Sequence, residues 1–255
     1  MSTPFDLTGK TAVITGSSRG IGRAIADSMA ALGAQVVVSS RKPEACEIAA
    51  REIAARGGRA TAIACNVSRK AEVENLVAEA LRRLGRIDVL VCNAGINPVY
   101  GPLRDLSDDA FDKVMSTNVT SALWFCNLVL PGMAERGGGA AILMSSIAGL
   151  RGTDRIGAYS ISKAALMALV RNLAVEWGPR NVRVNGIAPG LIKTDFARAL
   201  WEDEELLARR TATTPLRRIG APEEIGPVAA FLASGAASFI TGQIIVADGG
   251  VTAAA

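Results

Sequence analysis

The 255-residue sequence contains no histidine. That absence excludes Ser-His-Asp hydrolysis, HExxH zinc chemistry and every acid–base scheme built on imidazole. Proton transfer is left to tyrosine, lysine, cysteine or carboxylates. Cysteine is sparse as well. Cys46, Cys65, Cys92 and Cys126 stand apart without C-x-x-C spacing, so the expectation is reduced thiols, with no disulfide framework and no metal site. No apolar run reaches the roughly 18–20 residues that cross a bilayer, so no membrane partner is expected. The opening stretch MSTPFDLTGK lacks the charged-then-apolar pattern of a signal peptide. Lys and Arg outnumber Asp and Glu by 28 to 24, yet they are dispersed, with no run of five. Nucleic acid is therefore not an expected partner, and the modest positive field suits an anionic cofactor.

What is present is a regular alternation. Apolar runs at 11–15, 35–39, 60–66, 89–93, 140–145, 183–188 and 243–247 read as strands. Between them, amphipathic stretches near 20–32, 43–56, 70–84, 107–136, 156–177 and 222–233 read as helices. Such alternation predicts an α/β fold, a doubly wound, Rossmann-like parallel sheet of about seven strands with helices on both faces. Apolar residues are 49% of the chain and charged residues 20%, enough for a large core and against disorder. No internal repeat or boundary divides the chain, so one domain over 1–255 is expected.

Two motifs carry chemistry. Thr15-Gly16-Ser17-Ser18-Arg19-Gly20-Ile21-Gly22 follows the first strand and opens the first helix, the setting in which a glycine turn holds a dinucleotide. Gly16 permits the tight turn, Gly20 lets a pyrophosphate approach the backbone, and Gly22 lets helix and strand pack closely. Tyr159 and Lys163, in AYSISK, lie four apart on one predicted helix face. An ammonium beneath a phenol is expected to lower its pKa from about 10 toward neutrality, making it an acid–base group for a carbonyl oxygen.

Together these features resemble the short-chain dehydrogenase/reductase family over almost the whole chain. TGSSRGIG is similar to its cofactor loop, including Ser18, Arg19 and Ile21. Cys92-Asn93-Ala94-Gly95 is similar to its NNAG element, with Cys in the first place. Asn118, Ser146, Tyr159 and Lys163 match its catalytic Asn, Ser, Tyr and Lys. Pro189, Gly190, Ile192 and Thr194 match the segment at the nicotinamide end, and Asp248-Gly249-Gly250 the usual ending. The runs VVVSSRK, GINPVYG and NVRVNGIAPGLIKT resemble NADPH-dependent carbonyl and retinol reductases of the peroxisomal kind. The peroxisomal tripeptide of those animal enzymes is not matched by Ala253-Ala254-Ala255, and cytoplasmic residence is the expectation.

The resemblance implies hydride transfer to a small-molecule carbonyl, with Tyr159 protonating the alkoxide and Ser146 holding the oxygen. It also implies that Lys163 tunes the tyrosine and binds the nicotinamide ribose, while Asn118 holds a proton-relaying water. Ser145 is a rival to Ser146 that alternation points to the other face of the strand. For the cofactor, the second strand ends Ser39-Ser40-Arg41-Lys42, with Ser40 where an NAD-binding acid would stand. With Arg41 and Arg19 as guanidinium clamps, this predicts NADP(H). Asn66 and Val67 are placed near the adenine, with Asn66 replacing a common Asp.

Substrate identity is open. The stretch 191–214, with Phe196, Leu200, Trp201, Leu206 and Leu207, resembles the family's mobile lid, and its apolar residues suit a hydrophobic carbonyl compound. Arg151 and Arg155 offer an anionic alternative. The leading expectation is an NADP(H)-dependent carbonyl reductase or secondary alcohol dehydrogenase. The alternatives are a 3-oxoacyl-carrier-protein reductase and a non-catalytic dinucleotide sensor. Apolar residues in excess on 107–136 and 156–177 predict self-association, as a homotetramer by resemblance.

Overall fold

A computed structural model of the chain describes residues 3–254. Met1, Ser2 and Ala255, the ends of the expected domain, lie outside the described residues. The uninterrupted apolar runs become strands covered on both faces. β1 (Thr11–Thr15) is buried at every residue, as a parallel strand between two helix layers must be. It is joined by β2 (Gln35–Ser39), β3 (Arg59–Ala62), β4 (Val89–Cys92), β5 (Gly139–Met144), β6 (Val182–Pro189) and β7 (Ile244–Ala247). All pair in parallel, in the order β3-β2-β1-β4-β5-β6-β7.

Alternate residues of each strand feed two cores. Val13, Leu90, Ala141 and Leu143 face one, packed by α3 (Lys70–Leu84), α5 (Ser121–Glu135) and α6 (Gly157–Trp177). Ala12, Ile14, Val89, Ile142 and Met144 face the other, packed by α1 (Gly20–Ala31), α2 (Pro43–Ala55) and α8 (Gly226–Ala233). Helix α3 shows why these stretches are helical. Its buried residues Val73, Leu76, Val77 and Ala80 recur at helical spacing, and it stops at Gly85, in the left-handed region at φ 76°.

One expectation is corrected and two segments gain detail. The strand predicted at 60–66 ends at Ala62, because this is the sheet edge and only backbone bonds to β2 continue, from Ile63 to Val38 and Cys65 to Ser40. The helix predicted at 107–136 is found as one helical run, α4 (Asp108–Met115) continuing through a π turn (Ser116–Thr120) into α5. Segment 191–214 contains a further helix, α7 (Glu204–Thr213), that hydrophobic periodicity could not show because none of its residues is buried. The available signal was its cap, Asp203, whose Oδ1 accepts the Leu206 N–H at 3.0 Å.

No helix among the described residues is long and apolar enough to cross a membrane. The order reverses at β1, with β2 on one side and β4 on the other. Ligands of such sheets bind beyond the carboxyl ends of the strands at that point.

Candidate active site

The turn between β1 and α1 is built from close approaches. Gly16 and Gly20 hold φ of 65° and 58°, which only glycine adopts without strain. Gly22 is there for space: a Cβ would stand 2.4 Å from Gly16 O and 2.5 Å from Asn93 Nδ2. Asn93 and Ala94 brace the turn from the next loop. Their N–H groups both donate to Thr15 Oγ1 at 3.0 Å, and Asn93 Nδ2 donates to Thr15 O and Gly16 O. Thr15 was not among the predicted site residues, although its place at the strand end beside the glycine turn was a usable signal. The result is a bare, rigid cradle at the N-terminus of α1, fitted to a dinucleotide's phosphates.

At the end of β2, Ser40 is half-buried and tied to Cys46 of α2. Its N–H and its hydroxyl lie 3.0 and 3.1 Å from Cys46 Sγ. Arg41 beside it is exposed and makes no ion pair among the described residues. At the end of β3, Asn66 Oδ1 accepts from the N–H and hydroxyl of Ser68, and Val67 is buried. The guanidinium of Arg19, the other expected clamp, is paired with Asp195 at 3.0 Å.

The predicted catalytic residues converge beyond β4 and β5. Lys163 is buried, and its Nζ donates to Met144 O at 2.7 Å. Ser145 Oγ donates to Lys163 O at 2.8 Å, so the rival serine is buried and anchors α6, whereas Ser146 is half-buried. Gly149 allows this tight docking, since a Cβ there would stand 2.7 Å from Lys163 C. Ser146 Oγ accepts the Ala148 N–H at 3.1 Å, which leaves its own proton free to point elsewhere.

The electrostatics overturn one expectation. The Lys163 ammonium lies 5.4 Å from the Tyr159 ring centre, but the phenol is not acidified. Burial pushes Tyr159 up to about 12, against a smaller downward pull from Ser146. Burial likewise lowers Lys163 to about 8. Desolvation is the leading cause at both groups, and at Tyr159 only the Ser146 hydrogen bond opposes it. Sequence spacing reports a shared helix face; it carries no information on what else that face is buried against.

Asn118 sits in the π turn with its carboxamide fully engaged. Oδ1 accepts from Ile96 N at 2.8 Å, while Nδ2 donates to Ile96 O and Ser162 Oγ, each at 3.0 Å. Gly95 keeps the ground between Asn118 and Lys163 clear: a Cβ would stand 3.3 Å from Asn118 Oδ1 and 3.5 Å from Lys163 Nζ.

The cleft is covered by the segment after β6. Pro189 ends the strand, Gly190 packs where a Cβ would stand 2.8 Å from Asp248 Cα, and buried Ile192 bridges to Gly220. Thr194 hangs over the turn, its Cγ2 3.4 Å from a Cβ at Gly20. Phe196 stacks obliquely on Tyr159, with ring centres 6.0 Å apart. Beside the cleft, an open hollow of about 410 Å³ is lined by Leu150, Arg151, Val251, Thr252 and Ala254. No group of three or more acidic or cysteine side chains among the described residues is placed to hold a metal ion.

A family model described as enoyl-(acyl carrier protein) reductase matches residues 16–252. Dehydrogenase/reductase SDR family member 4 of Oryctolagus cuniculus is 42% identical over 244 residues, which is 96% of this chain and 94% of the relative. Among solved structures, a gluconate 5-dehydrogenase from Burkholderia cenocepacia J2315, in complex with NADP and tartrate, has a TM-score of 0.95 at 33% identity, covering 99% of this chain and 98% of that one. A 7α-hydroxysteroid dehydrogenase complexed with NADH and 7-oxo glycochenodeoxycholic acid has a TM-score of 0.92 at 39% identity, over 97% and 96%.

Proposed function

The chain belongs to the short-chain dehydrogenase/reductase family, and from that premise we propose that it is an NADP(H)-dependent oxidoreductase interconverting a ketone or aldehyde and its alcohol. The observation that carries this reading is the gathering of Ser146, Tyr159 and Lys163 beside a glycine turn at a helix N-terminus, which suits a phosphate-bearing ligand. When bound, the nicotinamide coenzyme supplies or accepts the hydride.

The remaining chemistry belongs to this chain. A phenol held up to about 12 keeps its proton at neutral pH, so Tyr159 Oη acts as the general acid toward a forming alkoxide. Ser146 Oγ, its lone pair already committed to the Ala148 N–H, donates its proton to the same oxygen and fixes its place. Lys163 has three donors and spends one on Met144 O, leaving two for the coenzyme ribose and for a water in the gap beside Gly95. With the Asn118 carboxamide occupied by Ile96 and Ser162, that water rests on Lys163 and the backbone of the π turn. Return of the proton from solvent to Tyr159 runs along this line.

Gly16, Ser18, Gly20, Ile21 and Gly22 serve the pyrophosphate side, Arg19 joins Arg41 as a guanidinium clamp for a 2′-phosphate, and Asn66 and Val67 serve the adenine. Asn93, Ala94 and Gly95 back the cleft, while Pro189, Gly190, Ile192 and Thr194 close the nicotinamide end. The solved neighbours hold NADP in one case and NADH in another, so the residues must decide. No carboxylate stands at Ser40, and Arg41 is exposed and unpaired among the described residues, which supports a 2′-phosphate there. Residues 191–214 act as the substrate lid of one domain spanning the chain. Four free, buried cysteines suit a reducing cytoplasm.

A second reading, 3-oxoacyl-carrier-protein reduction, draws on the description of the matching family model and on Arg151 beside the open hollow. NADPH oxidation with neutral ketones, aldehydes, keto acids and an acetoacetyl thioester separates the two. The expected result is highest kcat/KM on neutral apolar carbonyls, with Tyr159→Phe losing roughly 10²–10⁴-fold in kcat while still binding NADPH. Full turnover by Tyr159→Phe would refute the mechanism, and preference for the thioester would favour the second reading.

A further inference from the structure

We infer that Asp195 sets the margin by which this protein prefers the 2′-phosphorylated coenzyme, because it competes with that phosphate for Arg19. The inference rests on the proposed use of Arg19 and Arg41 as the phosphate clamp. Arg19 precedes α1 in extended conformation, and among the described residues its guanidinium has one anchor, Asp195 Oδ2 at 3.0 Å. Asp195 is not similarly dependent on Arg19. Its other oxygen accepts from Arg198 Nη2 at 2.7 Å, and Arg198 is further held near Glu202 at 3.6 Å. Losing Arg19 therefore leaves the carboxylate still partnered, whereas Arg19 is freed entirely.

The two uses of Arg19 compete, because its partners belong to different segments of the fold. The residue follows β1, and β2, with Ser40 and Arg41 at its end, is the neighbour on one side. Asp195 descends from β6, three strands away on the other side. A guanidinium has five donors, but its single stem cannot aim them at both places. NADPH must draw Arg19 away from Asp195, while NADH, lacking the 2′-phosphate, leaves the pair intact. Both side chains are largely exposed, at 74% and 44%, so the pair is weak and its effect on affinity is a matter of a few-fold.

The test is equilibrium titration of NADPH and NADH by coenzyme fluorescence, without substrate, for the parent chain, Asp195→Asn, Arg19→Ala and the double variant. Asparagine removes the charge yet still accepts from Arg198. Asp195→Asn is expected to tighten NADPH about two- to five-fold with NADH unchanged, and to have no effect once Arg19 is alanine. A through-space charge effect would instead tighten both coenzymes and persist in Arg19→Ala; that outcome, or an unchanged NADPH Kd, overturns the inference. If Arg19→Ala binds NADPH as tightly as the parent, the clamp role of Arg19 fails and the inference falls with it. That result is distinct from one in which Arg19 matters and Asp195 does not.

Discussion

Lys163 shows how a site residue is shaped by what surrounds it. The sequence places it four positions from Tyr159, and that pairing is visible without coordinates. Its burial, its bond to Met144 O and its lowering to about 8 come from packing against β5. A consequence for stability follows. Unfolded, the lysine titrates near 10.5; between 8 and 10.5 the unfolded chain binds the extra proton, so native stability rises with pH across that window. Tyr159 works in the opposite sense only above 10, where the native phenol keeps a proton that the unfolded chain sheds. Urea unfolding of the parent and Lys163→Met at pH 8 and pH 10 isolates the lysine. The difference is expected to move in the parent's favour by about 2 kcal/mol, and a constant difference would contradict the burial argument. The reversal at Tyr159 was not legible beforehand, since desolvation depends on every neighbour and spacing names only one.

At the scale of elements, the β1–α1 turn was legible as a motif, but the ranking of its glycines was not. The φ of 58° at Gly20 marks it as conformationally special, yet a Cβ there meets only the Thr194 side chain, at 3.4 Å from Cγ2 and 3.7 Å from Cβ. Gly22 has ordinary helical backbone and no room, being hemmed by Gly16 O and Asn93 Nδ2. Gly22→Ala is therefore expected to cost more than Gly20→Ala, about 1–3 kcal/mol from overpacking against about 1–2 from backbone strain. Thermal melts of the two variants test the order, and an equal or reversed order would show that the turn relaxes freely. The π turn around Asn118 and the unburied helix α7 escaped the sequence for a related reason. Neither leaves a hydrophobic period, one being a local register change and the other a solvent-facing cover.

For the whole molecule, the sheet edge and two helices remain uncovered. Val246 of β7 and Leu123, Leu128, Ile161 and Val175 of α5 and α6 are exposed apolar residues, and Phe239 is fully so. Open strand edges and apolar faces of this kind favour partners, and on them we base the proposal of self-association, as a homotetramer by resemblance. Val246→Lys and Val175→Glu are each expected to lower the mass measured by light scattering, with the monomer fold retained by circular dichroism. A monomeric parent would remove the assembly from the proposal. The alternation of apolar runs, the glycine turn and the order of Ser146, Tyr159 and Lys163 were determined by the sequence alone, because periodicity and short spacing are local properties of a chain. The strand order, the anchoring of Ser145 on Lys163 O, the acidity of Tyr159 and the capture of Arg19 by Asp195 were decided only by the tertiary structure. Each of these depends on which distant residues share a small volume, and burial and competition for a charge exist only once they do.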